Sequence, residues 1–240
     1  MKVRKSALFG LVVAVVTCGS VPGFAATLYN QPPLPLPALG FSWTSTIDSS
    51  GNGFVTWDNF TLASDSTITS VSWRGFAWDF QNSSNNPVSL ATQTWVVSFF
   101  SDNGGVPGSP VGGDARAASA VATVLVGTAP FGSDTVNVYD LTFTLSTPFL
   151  ATGGTQYWFT PVSEQTNFNP IFSWSEGTGG DGSSYQCVAT GISFSNCGPQ
   201  QGDRAFALNG SIVTPEPSSL VLLGSGIVGL AGLARRRFLS

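Results

Sequence analysis

The sequence predicts an all-β protein built as a single β-sandwich of jelly-roll-like form. Three observations carry this. From residue 41 onward, β-branched and aromatic residues alternate with polar ones at the period of two that a half-buried strand requires. Turn-forming residues interrupt that alternation often: the chain has 28 glycines and 15 prolines, many of them beside Asn, Asp or Ser. No stretch sustains an amphipathic helical stripe; residues 114–120 are the one candidate, and they are alanine-rich rather than two-faced. A length of 240 residues suits one domain with appendages, and 42% hydrophobic residues can supply its core.

Residues 1–25 read as a signal peptide. Lys2, Arg4 and Lys5 make a basic start, residues 7–16 are apolar, and Gly23 and Ala25 place small side chains before a cleavage after Ala25 by signal peptidase. The apolar run is too short to span a bilayer comfortably. Residues 26–40 follow as a proline-rich leader centred on Gln31-Pro32-Pro33-Leu34-Pro35-Leu36-Pro37. Prolines at that density cannot donate to a sheet and favour polyproline II, so a stiff lead is expected ahead of an ectodomain over 41–213.

Within 41–213, Phe54-Val55-Thr56-Trp57 and Phe60-Thr61-Leu62 flank Asp58-Asn59. Residues 67–73 alternate, with Thr69, Val71 and Trp73 on one face. The run 95–100 stops at Asp102-Asn103-Gly104-Gly105, which is turn chemistry. Strands are expected over 121–126, 136–145, 156–162 and 204–213, the last with Phe206, Leu208 and Ile212 on one face. Roughly eight to ten strands at this spacing make a sandwich.

The last segment, 214–240, has three parts. Thr214-Pro215-Glu216-Pro217 breaks structure, residues 218–234 are uncharged and rich in Leu, Val and Gly, and Arg235, Arg236 and Arg237 follow. Seventeen helical residues at ~1.5 Å each span about 25 Å, enough for a thin bilayer. The arginines would stay on the cytoplasmic side, which puts the ectodomain outside, as the signal peptide also does.

These residues resemble the PEP-CTERM sorting signal of exopolysaccharide-producing Gram-negative bacteria. The resemblance implies that an exosortase, a membrane transpeptidase-like enzyme, recognises Pro215, Glu216 and Pro217. Arg235–Arg237 would act as the stop-transfer cluster, and the helix as a transient inner-membrane anchor. It also implies a final place in the outer envelope, at the cell surface or in the extracellular matrix. The ectodomain itself resembles the extracellular domain common among such proteins, through Ile68-Thr69-Ser70-Val71-Ser72-Trp73-Arg74-Gly75, Phe99-Phe100-Ser101-Asp102-Asn103-Gly104-Gly105, Thr155-Gln156-Tyr157-Trp158 and Asp203-Arg204-Ala205-Phe206-Ala207-Leu208-Asn209-Gly210. That likeness implies a secreted sandwich and no particular chemistry. Residues 111–126 and the cysteine loop depart from it.

Charge and composition exclude several functions. Between the basic ends stand three arginines against twelve carboxylates, a net −9 with no lysine, and such a surface repels nucleic acid. There is no histidine in the chain, so no imidazole can serve as base, nucleophile or metal ligand. With the signal removed, only Cys187 and Cys197 remain, and an even count in an exported domain predicts a disulfide. A zinc site would lack ligands, and no metal or other cofactor is expected.

A non-enzymatic envelope or matrix protein associated with exopolysaccharide or biofilm is therefore the leading expectation. Two alternatives stand beside it. One is a carbohydrate- or calcium-binding module: Asp102, Asn103, Asp114 and Asp181 offer hard oxygen ligands in Gly-rich loops. Of seven tryptophans, Trp78 and Trp174 lie beside acidic and turn residues and are expected to be exposed for stacking on an extracellular polysaccharide. The other is a carboxylate glycosidase using Glu164 and Glu176, assisted by Asp79, Asp140 or Asp181.

Overall fold

The computed structural model describes residues 26–116, 121–213 and the isolated positions 224 and 226, and the first of these already form a strand. In chain order the strands are β1 (Ala26–Gln31), β2 (Trp43–Thr44), β3 (Thr46–Asp48), β4 (Gly53–Thr61), β5 (Ser66–Trp78), β6 (Thr94–Asp102), β7 (Pro107–Arg116) and β8 (Val121–Phe131). There follow β9 (Asp134–Ala151), β10 (Gln156–Gln165), β11 (Ile171–Trp174), β12 (Glu176–Gly177), β13 (Ser183–Thr190), β14 (Ser193–Gln201), β15 (Asp203–Arg204) and β16 (Phe206–Ile212). Between these strands a short 3₁₀ turn is formed at Ser83–Asn85.

Two curled sheets form a sandwich-like fold. In the first, β5 is the hub: β9 and then β8 lie on one side, while β16 with β1, and β11 with β2, lie on the other. In the second the order is β14-β13-β4-β3-β10-β6-β7, with β4 also paired to β10. Its β3–β10 pair is parallel. Strands β12 and β15 make a separate two-stranded ribbon.

Between the sheets, aromatic side chains do most of the filling. Phe60, Trp73, Trp95, Phe99, Phe143, Phe159, Phe172, Trp174 and Phe206 are all buried there. Large rings suit this position because each removes much apolar area from water and pairs edge-on with its neighbours. Trp95 meets Phe172 at 4.8 Å and Phe159 meets Trp174 at 5.6 Å, both near-perpendicular.

Several expectations need correction. The leader is not a free lead: β1 pairs with β16, and Pro33 bridges to Gly177. Beyond β1, Leu36 and Leu39 pack on the outer face of the first sheet against Phe76, Val126, Val136 and Val138. The two runs that flank Asp58-Asn59 are one strand, since β4 passes straight through it. Residues 114–116 belong to β7 rather than to a helix. β5 carries a bulge between Ile68 and Ser70, so Ile68 and not Thr69 shares the buried face with Val71 and Trp73. Ile212 lies past the core at the end of β16 and is 57% exposed.

Candidate functional site

Ala25, Pro215, Glu216, Pro217 and Arg235 to Arg237 lie outside the described residues, as does the expected span 218–234. Among the described residues no helix is long and apolar enough to cross a membrane. The described fold ends close to the sorting motif. Val213 still donates its backbone N–H to Asp65 O at 2.8 Å, and only Thr214 separates it from Pro215. The start and end of the domain are also neighbours, since Ala26 pairs with Gly210.

Cys187 and Cys197 form the disulfide, joining β13 to β14 across their hairpin. Trp174 is wholly buried, which overturns its expected exposure. It sits in β11 against Phe159 and Phe206 and donates its indole N–H to Ala205 O at 2.9 Å. The acidic and turn residues beside it in sequence are carried away by the β12 ribbon. Trp78 is half-buried, meets Phe131 edge-to-face at 5.4 Å and donates its indole N–H to Asp134 Oδ2 at 2.7 Å.

The carboxylates are scattered. Glu164 is the penultimate residue of β10 in the second sheet, whereas Glu176 stands in the ribbon and accepts the Phe41 N–H at 2.6 Å. Asp140 is held in a two-pronged pair by Arg74, at 2.6 and 2.8 Å. Asp79 organises a loop end: its Oδ1 accepts from Gln81 N, Asn82 N and Asn169 Nδ2, and its Oδ2 from Asn85 Nδ2. These bonds, led by the two Asn side chains, favour the ionised form and lower its pKa. Asp102 accepts from Gly104 N, Gly105 N, Gln156 Nε2 and Trp158 Nε1, so it serves a turn and two side chains at once. Among the described residues no three His, Cys, Asp or Glu side chains come together as a metal-holding group.

One polar cluster is buried between the sheets. Arg204 is fully enclosed, and its guanidinium donates to Phe41 O, to Trp174 O at 3.2 Å and to Gln201 O at 3.2 Å. Asp58, equally enclosed, accepts the backbone N–H groups of Arg204 and Asn59. Gln31 completes the cluster. Its amide nitrogen faces Arg204 O at 2.6 Å and Asp58 Oδ2 at 2.8 Å, because the reverse placement would set oxygen against oxygen. Burial is the leading effect on both charged groups: it raises the Asp58 carboxyl well above its usual range and brings Arg204 down to about 10. Asp203 beside it accepts from Gly180 N and Gly182 N at 2.9 and 2.7 Å. Gly202 turns the chain between β14 and β15 with a φ of +81°, a conformation that a Cβ would oppose. This assembly ties the leader, the ribbon and β4 together; it is a structural lock.

A second arrangement faces outward. Strand register aligns Phe100, Trp158 and Asn59 in one row across β6, β10 and β4 on the outer face of the second sheet. Two residues along, Trp57 pairs with Tyr185 of β13 on the same face. Trp158 and Tyr185 meet edge-to-face at 6.1 Å. Above them opens a cavity of about 320 Å³, walled by the Gly105-Val106 loop on one side and by Asp181, Ser183 and Pro199 on the other. Asp181 accepts from Asn59 Nδ2 at 2.7 Å and from Ser183 N at 2.9 Å. The sequence marks Asp181 as a loop carboxylate and Gln156 and Trp158 within a motif, but nothing local joins them into one site. Trp158, Tyr185 and Asn59 each sit in an ordinary strand, and only the pairing of three strands brings them together.

The fold and ends together define an all-β protein with a terminal sorting segment. That segment has a family: residues 213–237 match the PEP-CTERM protein-sorting motif. The chain thus carries a signal that implies an exported, cell-surface-associated protein sorted by an exosortase. No curated protein and no solved structure matches the chain.

Proposed function

We propose that this is a non-enzymatic protein of the outer envelope or extracellular polysaccharide matrix, cut by an exosortase at or near Pro215-Glu216-Pro217 after export. The observation that carries the reading is the sorting motif over 213–237, which starts at the last hydrogen-bonded residue among those described, Val213, and puts Pro215 two residues beyond it. Removing the tail there would release a domain whose described strands are already complete. The absence of histidine, and two glutamates held in different sheets, support a role without catalysis.

The jelly-roll form of the sandwich belongs to the same proposal. Its support is the interleaving of the two four-strand paths β1-β16-β5-β9 and β4-β10-β6-β7, in which successive strands repeatedly change sheet. The test of the sorting reading is direct. Replacing Pro215-Glu216-Pro217 by alanines is expected to trap a larger, unprocessed form at the inner membrane, seen by fractionation and intact mass. Normal processing of that variant would refute the proposal.

The second reading is a carbohydrate-binding module. It is favoured by the outward cavity over Trp158 and Tyr185, and no longer by Trp174.

A further inference from the structure

We infer that the cavity over Trp158 and Tyr185 binds a neutral polysaccharide chain through its hexose units. The inference deepens the carbohydrate-binding reading given above. It rests on delivery of the domain outside the cell, where such polymers lie.

Its first support is the character of the face. An outer sheet face in water normally presents polar side chains between buried ones. Here Val55, Trp57, Trp158, Val162 and Ala189 are buried on it, with Val96, Phe100 and Tyr185 packed against them. The corresponding apolar patch on the first sheet is covered by the leader through Leu36 and Leu39. On the second sheet the cavity stays open beside Tyr185, which is half-buried. At about 320 Å³ it falls at the small end of the range usual for ligand sites, about 300–1,000 Å³.

The second support is the match of chemistry to sugar. A pyranose ring has an apolar face of C–H groups and a rim of hydroxyls, each both donor and acceptor. The cavity supplies both complements. Its floor is the Trp158–Tyr185 pair, and its rim holds the Asn59 and Gln156 amides, the Tyr185 phenol and the Asp181 carboxylate. The polar groups are held ready. Asn59 is fixed by Asp181, and Gln156 and the Trp158 indole are both fixed by Asp102 Oδ1, at 3.1 and 2.9 Å. Little side-chain freedom therefore remains to be lost on binding.

The third support sets the charge of the ligand. Asp181 lines the site, Asp102 holds two of its lining side chains, Gln156 and Trp158, from behind, and none of the lining residues is cationic. Of the arginines whose side chains are described, Arg74 is paired with Asp140 and Arg204 is buried. A uronic acid polymer would meet only carboxylates in a domain of net −9, whereas a neutral hexose polymer would meet no repulsion.

The experiment uses the full chain purified in detergent. It is titrated with oligosaccharides of neutral hexoses (glucan, mannan and galactan fragments) and, in parallel, with oligogalacturonate. Tryptophan fluorescence and calorimetry report binding. Saturable binding of a neutral oligosaccharide is expected, with no response to oligogalacturonate. Tyr185→Ala and Asn59→Ala should each weaken it by about tenfold or more, Tyr185→Phe by less, and Trp78→Ala not at all. An unfolding curve accompanies each variant. If Tyr185→Ala fails to fold, Asn59→Ala and Tyr185→Phe carry the test. Silence across the neutral panel, preference for oligogalacturonate, or full affinity in the folded variants at 59 and 185 each overturns the inference. None of these outcomes touches processing at Pro215, so failure here is distinct from failure of the sorting proposal.

Discussion

The two aromatic populations of this sandwich differ in what covers them. Between the sheets, Phe99, Phe159, Phe172 and Trp174 are closed in by strands on both sides, and all four are wholly buried. On the outer face of the second sheet, Trp57 and Trp158 are almost as well hidden, yet among the described residues no second sheet lies over them. Their cover is local. Phe194 of β14 leans on Trp57 edge-on at 5.3 Å, and Phe100 does so at 5.7 Å. The lesson is that burial alone does not separate a core residue from a binding residue. What separates them is whether the covering atoms are a second sheet or a hairpin, because a hairpin can leave a gap the size of a sugar ring.

The largest of the four named inter-sheet residues gives the sharpest contrast. Trp174→Ala is expected to destabilise the fold by about 3–5 kcal/mol, the usual cost of emptying a large aromatic site in a core. Loss of the indole N–H to Ala205 O removes one of the two donors to that carbonyl, the other being the Arg74 backbone N–H, and adds a hydrogen bond to that cost. Chemical denaturation followed by tyrosine and tryptophan emission checks it through the midpoint. A loss below about 1 kcal/mol, the scale of a surface substitution, would mean that the inter-sheet core is not the main source of stability.

Much of this arrangement was legible in sequence and some was not, for physical reasons. Alternation showed β5, β6, β9, β10 and β16, because strands with one face on a core must repeat every two residues. It failed wherever that repeat is broken or satisfied from afar. β7, with Pro107, Pro110, Gly112 and Gly113, shows no such repeat, yet it forms an edge strand, where a missing donor costs little. Asp58-Asn59 reads as a turn. It is tolerated inside β4 because Arg204, 146 residues away, brings its backbone N–H to Asp58. The same limit hid the cavity: Phe100, Trp158 and Asn59 share a row only through the pairing of β6, β10 and β4. The disulfide, by contrast, followed from counting alone.

That disulfide fixes the hairpin which carries the local cover. Replacing both Cys187 and Cys197 by alanine removes a short loop constraint, and a loss of about 2–3 kcal/mol is expected in the chain-entropy picture. The Tm difference between oxidised and reduced wild-type protein should match it, while the double variant should show no response to reductant. Because β14 is an edge strand, opening of the hairpin should precede unfolding of the core. Hydrogen exchange should therefore show early loss of protection over 193–201 in the double variant and unchanged protection over 156–165. Simultaneous loss in both segments would tie the hairpin to the core and erase the distinction drawn between them.

The smallest perturbation bears most closely on the outer face. Phe194 is 51% exposed, so truncating it removes little buried area, but it deprives Trp57 of one of its two edge-on partners. Phe194→Ala should therefore cost only about 1 kcal/mol, within the range for an aromatic pair. Its spectroscopic effect should exceed its effect on stability. Trp57, now 2% exposed, would meet water, so emission shifts to the red and becomes open to quenching by iodide. Trp174, behind two sheets, stays shielded in the same protein, and that residual protected emission is the internal control. A red shift without a matching loss of stability is what a face covered by single side chains, rather than by a second sheet, requires. An unchanged spectrum would mean that Phe100 alone closes over Trp57, and that the outer face is as firmly packed as the core.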